Sequence, residues 1–166
     1  MRDKDGNGSS VMFAELVAYA MEQGCTLPDL LDQVYAEFGV YLEQGKSIVM
    51  EGAEGAAKIA ALVASYAENP PQEVDGSTVI AANDYNAADF YDEEGDLIPK
   101  AKMLIVELAD GRRFAIRPSG TEPKIKYYLF GKDAPQADVD ASKANVKASL
   151  ESLWSSLEAD AQTRMG

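Results

Sequence analysis

Apolar positions recur along the chain with two different periods, and the change between them divides it. Val11, Met12, Leu16, Val17 and Ala20 fall at helical spacing. Asp5, Ser9 or Ser10 is placed to cap the start of that run, and Gly24 to end it. Thr26 caps a second helix with Pro28 just inside it, Leu30, Leu31, Val34, Tyr35 and Phe38 form its apolar face, and Gly39 stops it. Two short helices bury too little to make a core, so they are expected to pack on something that need not be in this chain.

From about Lys46 the character changes. Lys46 to Glu51 reads as a short strand holding Ile48 and Val49. Ala53 to Ala67 reads as a helix with Ile59, Leu62, Val63 and Tyr66, closed by Asn69-Pro70-Pro71. Thr78 to Ala82 reads as a strand, and the polar stretch from Asp84 to Lys100 as a long loop. Met103 to Leu108, Asp110-Gly111 and Arg113 to Arg117 together predict a hairpin. Lys124 to Phe130 alternates, with Ile125, Tyr127 and Leu129 opposing Lys126 and Tyr128. Gln136 to Ala159 predicts a final long helix with Val139, Val146, Leu150, Leu153, Trp154 and Leu157. The order predicts an α+β fold, an antiparallel sheet covered on one face by helices.

Length and composition narrow the classes. The 166 residues suffice for one ordinary domain or a small domain with an attached piece. No apolar run reaches the ~18 residues that would span a membrane. No charged-then-apolar leader is seen, so a cytoplasmic setting is expected. Cys25 stands alone, and the absence of histidine argues against zinc and leaves acid–base chemistry to carboxylates or lysines. A net charge of −13 argues against a nucleic-acid binder. The charge is uneven: Arg112, Arg113, Arg117, Lys124 and Lys126 cluster within fifteen positions that hold one acid, Glu122. A basic island in an acidic chain points either to a local anion site or to a strand with solvated charges.

The segment Arg117-Pro118-Ser119-Gly120-Thr121-Glu122-Pro123-Lys124 joins two predicted strands. Consecutive amides at Ser119, Gly120 and Thr121 can form a nest for an anion, and Gly120 permits backbone angles other residues resist. The Ser119 and Thr121 hydroxyls add neutral donors, Arg117 can grip two oxygens through its planar fork, and Lys124 adds a compact charge. Pro118 and Pro123 stiffen the ends. Glu122 is expected to point away and orient Arg117 or Lys124.

This string resembles the phosphate-binding signature of the alpha-D-phosphohexomutases. Flanking strings extend the likeness: Asn69-Pro70-Pro71, Asp84-Tyr85, Leu97-Ile98-Pro99-Lys100, Asp110 to Ile116, and Ile125-Lys126-Tyr127-Tyr128. The spacing is most similar to long-form bacterial phosphoglucomutases and phosphomannomutases. The resemblance implies that residues 45–166 are the fourth, phosphate-binding domain, with a fold like the TATA-binding protein. Residues 1–44 are then the last helices of the sugar-binding third domain, an α/β domain, and a linker. Arg2-Asp3-Lys4-Asp5-Gly6 matches a stretch that follows the family's sugar-recognition loop.

The family's sugar-recognition, phosphoserine and metal loops have no counterpart here, so the chain is expected to be part of a longer enzyme. It would hold no catalytic or metal residue and no cofactor of its own, and would be inactive alone. By resemblance the parent interconverts hexose 1-phosphate and hexose 6-phosphate through a phosphoserine and a bisphosphorylated sugar, with Mg²⁺ and a hexose 1,6-bisphosphate activator. The loop here, through Arg117, Ser119, Gly120, Thr121 and Lys124, would hold the phosphate that is not being transferred. Its partners would be the sugar phosphate and the N-terminal domains, without nucleic acid or membrane. The alternative is a free-standing phosphoester-binding or interaction module.

Other features carry less. Asp92 to Asp96 lacks EF-hand spacing and reads as a solvated acidic turn. Asn7-Gly8-Ser9 is a glycosylation sequon in a chain with no secretion signal. Tyr127, Tyr128 and Trp154 could stack a sugar but are expected to pack in the core. Cys25 has no visible partner.

Overall fold

A computed structural model describes residues 5–120 and 122–166; Arg2, Asp3, Lys4 and Thr121, which the sequence reading singled out, lie outside the described residues. The chain forms two compact units, one of residues up to Val40 with Asp133–Ser142, the other of Tyr41–Lys132 with Lys143–Gly166.

The first unit begins with α1 (Gly6–Glu22) and α2 (Leu27–Phe38). Asp5 caps α1, its carboxylate accepting the Gly8 amide at 2.9 Å. Thr26 and Asp29 form a reciprocal capping box on α2, and Gly39 ends it with a φ of 94°, a conformation that suits glycine. These helices start and stop where sequence chemistry places them. They do not make a core. Among the described residues of α1 only Ala20 is buried and none in α2 is, while Val11, Phe13 and Phe38 are about 60% exposed or more. Asp133 organises the other part of this unit: its carboxylate takes the hydroxyl of the buried Ser142 at 2.8 Å and the Ala134 amide at 2.9 Å.

The second unit is built on a six-stranded antiparallel sheet in the order β1-β8-β7-β6-β3-β2. Its strands are β1 (Val40–Val49), β2 (Glu73–Val74), β3 (Ser77–Asp84), β6 (Leu104–Leu108), β7 (Arg113–Pro118) and β8 (Lys124–Asp133). The short β4 (Phe90–Tyr91) and β5 (Leu97–Ile98) form a separate ribbon, beside which Tyr85 stacks on Phe90. Two helices, α3 (Gly52–Glu68) and α4 (Val139–Met165), close one face. The α+β class read from the sequence holds. Among the described residues no helix is long and apolar enough to cross a membrane.

Period-2 alternation makes the core. Val106, Leu108, Phe114, Ile116, Ile125, Tyr127 and Leu129 of the central strands are buried, as are Ile59, Leu62 and Tyr66 of α3 and Leu150, Leu153, Leu157 and Ala161 of α4. Each large apolar side chain contributes about 1.5–3 kcal/mol on burial. Gly131 sets the distance of α4 from β8, because a Cβ there would come within 3.0 Å of both Leu150 and Val146. Tyr127 sits edge-on between Tyr66 and Trp154, and burial pushes its hydroxyl up to about 12. Arg164 lies over the Tyr66 ring at 4.4 Å, donates to the carbonyls of Ser65 and Asn69 at the end of α3, and pairs with Asp160. It thereby caps one helix from the other.

A second clasp ties the turns to α4. Asp75 stands at φ 51° in the β2–β3 turn, before Gly76 at 71°. Its carboxylate pairs with Arg112 and accepts the Ser152 hydroxyl at 2.7 Å. Arg112 also pairs with Asp110 at 2.7 Å and donates to the Ser149 carbonyl at 3.1 Å.

The structure departs from the sequence reading at four places. The strand expected from Lys46 begins at Val40, and the less exposed Val40, Leu42 and Gln44 alternate there with the exposed Tyr41, Glu43 and Gly45. The Asp75-Gly76 turn makes a β2–β3 hairpin that was not expected. The expected loop from Asp84 to Lys100 contains the paired β4 and β5. The last helix runs on to Met165, where Arg164 gives its final turn a docking partner.

Burial acts to raise the Asp75 and Asp110 carboxyls, but hydrogen bonds and charge from Arg112 outweigh it and hold both below the usual aspartate range. A lowered folded pKa adds stability that is complete above the unfolded value near ~3.9 and is lost as pH falls through the folded values. Urea midpoints are therefore expected to drop on acidification below about pH 4, and Asp75→Asn to flatten part of that drop while lowering the midpoint at pH 7. An unchanged pH profile in Asp75→Asn would contradict the clasp.

Candidate functional site

The hairpin of β7 and β8 positions the loop. Antiparallel register pairs Arg113 with Phe130, Ala115 with Tyr128, and Arg117 with Lys126. Phe114, Ile116, Ile125, Tyr127 and Leu129 take the helix-covered face, so these other pairs lie on the open one. Arg117 is exposed and Lys126 half-buried at the mouth of the hairpin. Like charges directly opposite one another destabilise a strand pair. Neither cation forms a close ion pair among the described residues, although the charge of Lys126 is felt by the Glu122 carboxylate. An anion seated there would relieve that repulsion.

The loop closes on itself. The Ser119 amide donates to the Lys124 carbonyl at 2.8 Å, and the Lys124 amide to the Glu122 carbonyl at 2.8 Å. The Ser119 N–H, expected to contribute to an anion nest, is therefore used inside the loop, while the Gly120 amide takes part in neither bond. Gly120 has no left-handed φ, and a Cβ there would meet nothing within 4 Å. The left-handed backbone that glycine favours is therefore not used at Gly120. The Lys124 ammonium pairs with Glu122, which answers how that carboxylate is accommodated. Hydrogen bonding from Lys124, then its charge and that of Lys126, holds Glu122 below the ordinary glutamate range. Thr121 lies outside the described residues.

The structure sorts the basic island. Arg112 is neutralised by two aspartates, Arg113 lies over the Phe130 ring at 4.9 Å, and Lys124 is paired with Glu122. Arg117 and Lys126 remain. Lys126 was not among the expected site residues, although the inward alternation of Ile125 and Tyr127 signals that it faces outward; only the register sets it against Arg117. A groove of about 590 Å³ lies at the other end of the open face, lined by Tyr41, Glu43, Ile80, Glu107, Arg113 and Phe130. A second, of about 360 Å³, runs from α3 to Pro118 at the base of the loop. The loop residues Ser119 and Gly120 line neither of these two grooves. Groups of three or more metal-ligating side chains are absent among the described residues.

Comparison with known proteins identifies the family. The family described as phosphoglucomutase/phosphomannomutase, C-terminal domain, matches residues 46–144. A phosphoglucomutase of Staphylococcus aureus is 39% identical over 154 residues, covering 87% of this chain and 27% of its own. A probable phosphomannomutase of Haemophilus influenzae is 36% identical over 140 residues, covering 83% and 26%. Among solved structures, the open form of parafusin, a phosphoglucomutase from Paramecium, covers 92% of this chain and 27% of its own at 18% identity and a TM-score of 0.49. The chain belongs to the phosphoglucomutase/phosphomannomutase C-terminal domain family. It spans about a quarter of the length of the curated relatives it matches.

If Glu122 both masks Lys124 and repels an incoming anion, Glu122→Gln is expected to tighten sulfate or phosphate binding several-fold. Amide chemical shifts of Ser119, Gly120 and Lys126 during titration give the measurement. Weaker binding by Glu122→Gln would show instead that the carboxylate holds Lys124 in a productive position.

Proposed function

We propose that this chain supplies the phosphate-binding edge of a phosphohexomutase that interconverts hexose 1-phosphate and hexose 6-phosphate, in a cytoplasmic setting. The observation that supports this most is the opposed Arg117–Lys126 pair at the mouth of the hairpin whose loop carries the family's signature string. Arg117 grips two phosphate oxygens, Ser119 and Thr121 offer hydroxyls, Gly120 lets the anion approach, and Lys124 adds charge when Glu122 releases it. A site that reads phosphate alone accepts a sugar in either orientation, which a mutase passing through a bisphosphorylated sugar requires. The work is positioning, and bond making belongs to other parts of the parent.

Residues 1–44 are proposed as the last helices of the preceding sugar-binding domain, and their exposed apolar faces support that reading. The remaining N-terminal domains and a sugar phosphate are the proposed partners. Mg²⁺ and a hexose 1,6-bisphosphate activator are proposed for the parent. The described residues offer no donor cluster that fits a metal, so no step here runs through one.

The chain alone is expected to bind inorganic phosphate and glucose 6-phosphate weakly. A charge-assisted contact is worth roughly 1.5–3 kcal/mol, so Arg117→Ala should weaken binding about tenfold to a hundredfold. Arg117→Lys should recover part of that loss. Binding should also fall with salt. Chemical-shift mapping decides this: shifts centred on Asp92 to Asp96, or equal binding by Arg117→Ala, would refute the site. With glucose 1-phosphate, Mg²⁺ and bisphosphate, the chain alone should show no turnover, and turnover above the blank would overturn its non-catalytic role.

A further inference from the structure

The two edges of the sheet are built differently. At one, β2 is two residues long, follows Pro70 and Pro71, and adjoins a register shift between Val79 and Ala81 in β3. Short, irregular edges of that kind resist pairing with another chain. At the other, β1 runs ten residues without a proline. The Met50 amide donates to the Pro123 carbonyl at 3.0 Å just past the end of the β1–β8 ladder. Counting back in twos, the even-numbered residues of β1 address β8, and Glu43, Gly45 and Ser47 turn their backbone groups outward.

The side chains near the middle of β1 are held in place. Lys46 pairs with Glu151 of α4 at 3.0 Å, and the Gln44 amide nitrogen donates to the same carboxylate at 2.9 Å. That leaves the Gln44 Oε1 buried with no hydrogen-bond partner among the described residues. A buried acceptor of this kind costs free energy unless something donates to it.

We propose that β1 pairs antiparallel with β1 of a second copy of this chain, across a two-fold axis at Gly45. In that register Leu42 faces Ile48, Tyr41 faces Val49, Glu43 faces Ser47 and Gln44 faces Lys46. Apolar residues meet apolar ones, and no like charges oppose. An axis at Glu43 or Lys46 would set that residue against itself, and an axis at Gln44 would set Leu42 against Lys46. Gly45 is exposed, and a Cβ there would meet nothing within 4 Å in the single chain. One strand pair lies at the small end of interface sizes, so the association is weak and depends on concentration.

The test is sedimentation velocity on the 166-residue chain from about 10 μM to about 1 mM. The wild type is expected to move from monomer toward dimer over that range. Gly45→Glu and Gly45→Lys each place like charges face to face at the axis and should weaken association several-fold to about tenfold. Mixing the two variants should restore it, because opposite charges then meet, and unfolded chains could not produce that rescue. A wild type that stays monomeric, single variants that dimerise like the wild type, or a mixture that fails to associate would each overturn the proposal.

Discussion

The apolar layer between β6, β7 and β8 and the two helices α3 and α4 governs the rest of the structure. Once Phe114, Ile116, Tyr127 and Leu129 are committed to that layer, period 2 sends Arg113, Arg117, Lys126, Tyr128 and Phe130 to the opposite face. A slip of one residue in the β7–β8 register would bury the cations and expose the core. The hairpin mouth is therefore charged because the helices seal the other side. Gly131 and the Arg164 cap serve the same layer, one by letting α4 come close and the other by joining the ends of α3 and α4.

In an acidic chain, where cations are left without acids is informative. Arg112 lies between Asp75 and Asp110 and acts as a fastener for two turns and α4. Lys46, Lys100 and Arg164 each have a carboxylate close by. Arg117 and Lys126 face each other instead, at the end of the sheet where the loop turns. Such a pair raises the energy of the unliganded protein slightly and lowers the cost of receiving an anion.

The two N-terminal helices illustrate the difference between forming an element and forming a core. Their caps are complete, yet their apolar faces stay in contact with solvent. Capping is satisfied by residues three positions apart, whereas burial needs a partner surface that α1 and α2 do not give each other.

Most elements of this protein were legible in its sequence because their causes are local. Thr26 with Asp29, Gly39 and the Asp110-Gly111 turn act within a few residues, and the alternation through Ile125, Tyr127 and Leu129 is a property of one strand. The loop from Arg117 to Lys124 was legible for the same reason, as a string of residue types. The pairings were not. The Arg117–Lys126 opposition depends on the register of two strands, and the Asp75–Arg112 clasp joins residues far apart in the chain. The loss of the Ser119 amide to the Lys124 carbonyl, and of the Lys124 charge to Glu122, depends on how the loop closes. Sequence fixes what each residue can donate, accept or bury; only the folded chain decides which partner it meets, because those partners are brought together by packing the core.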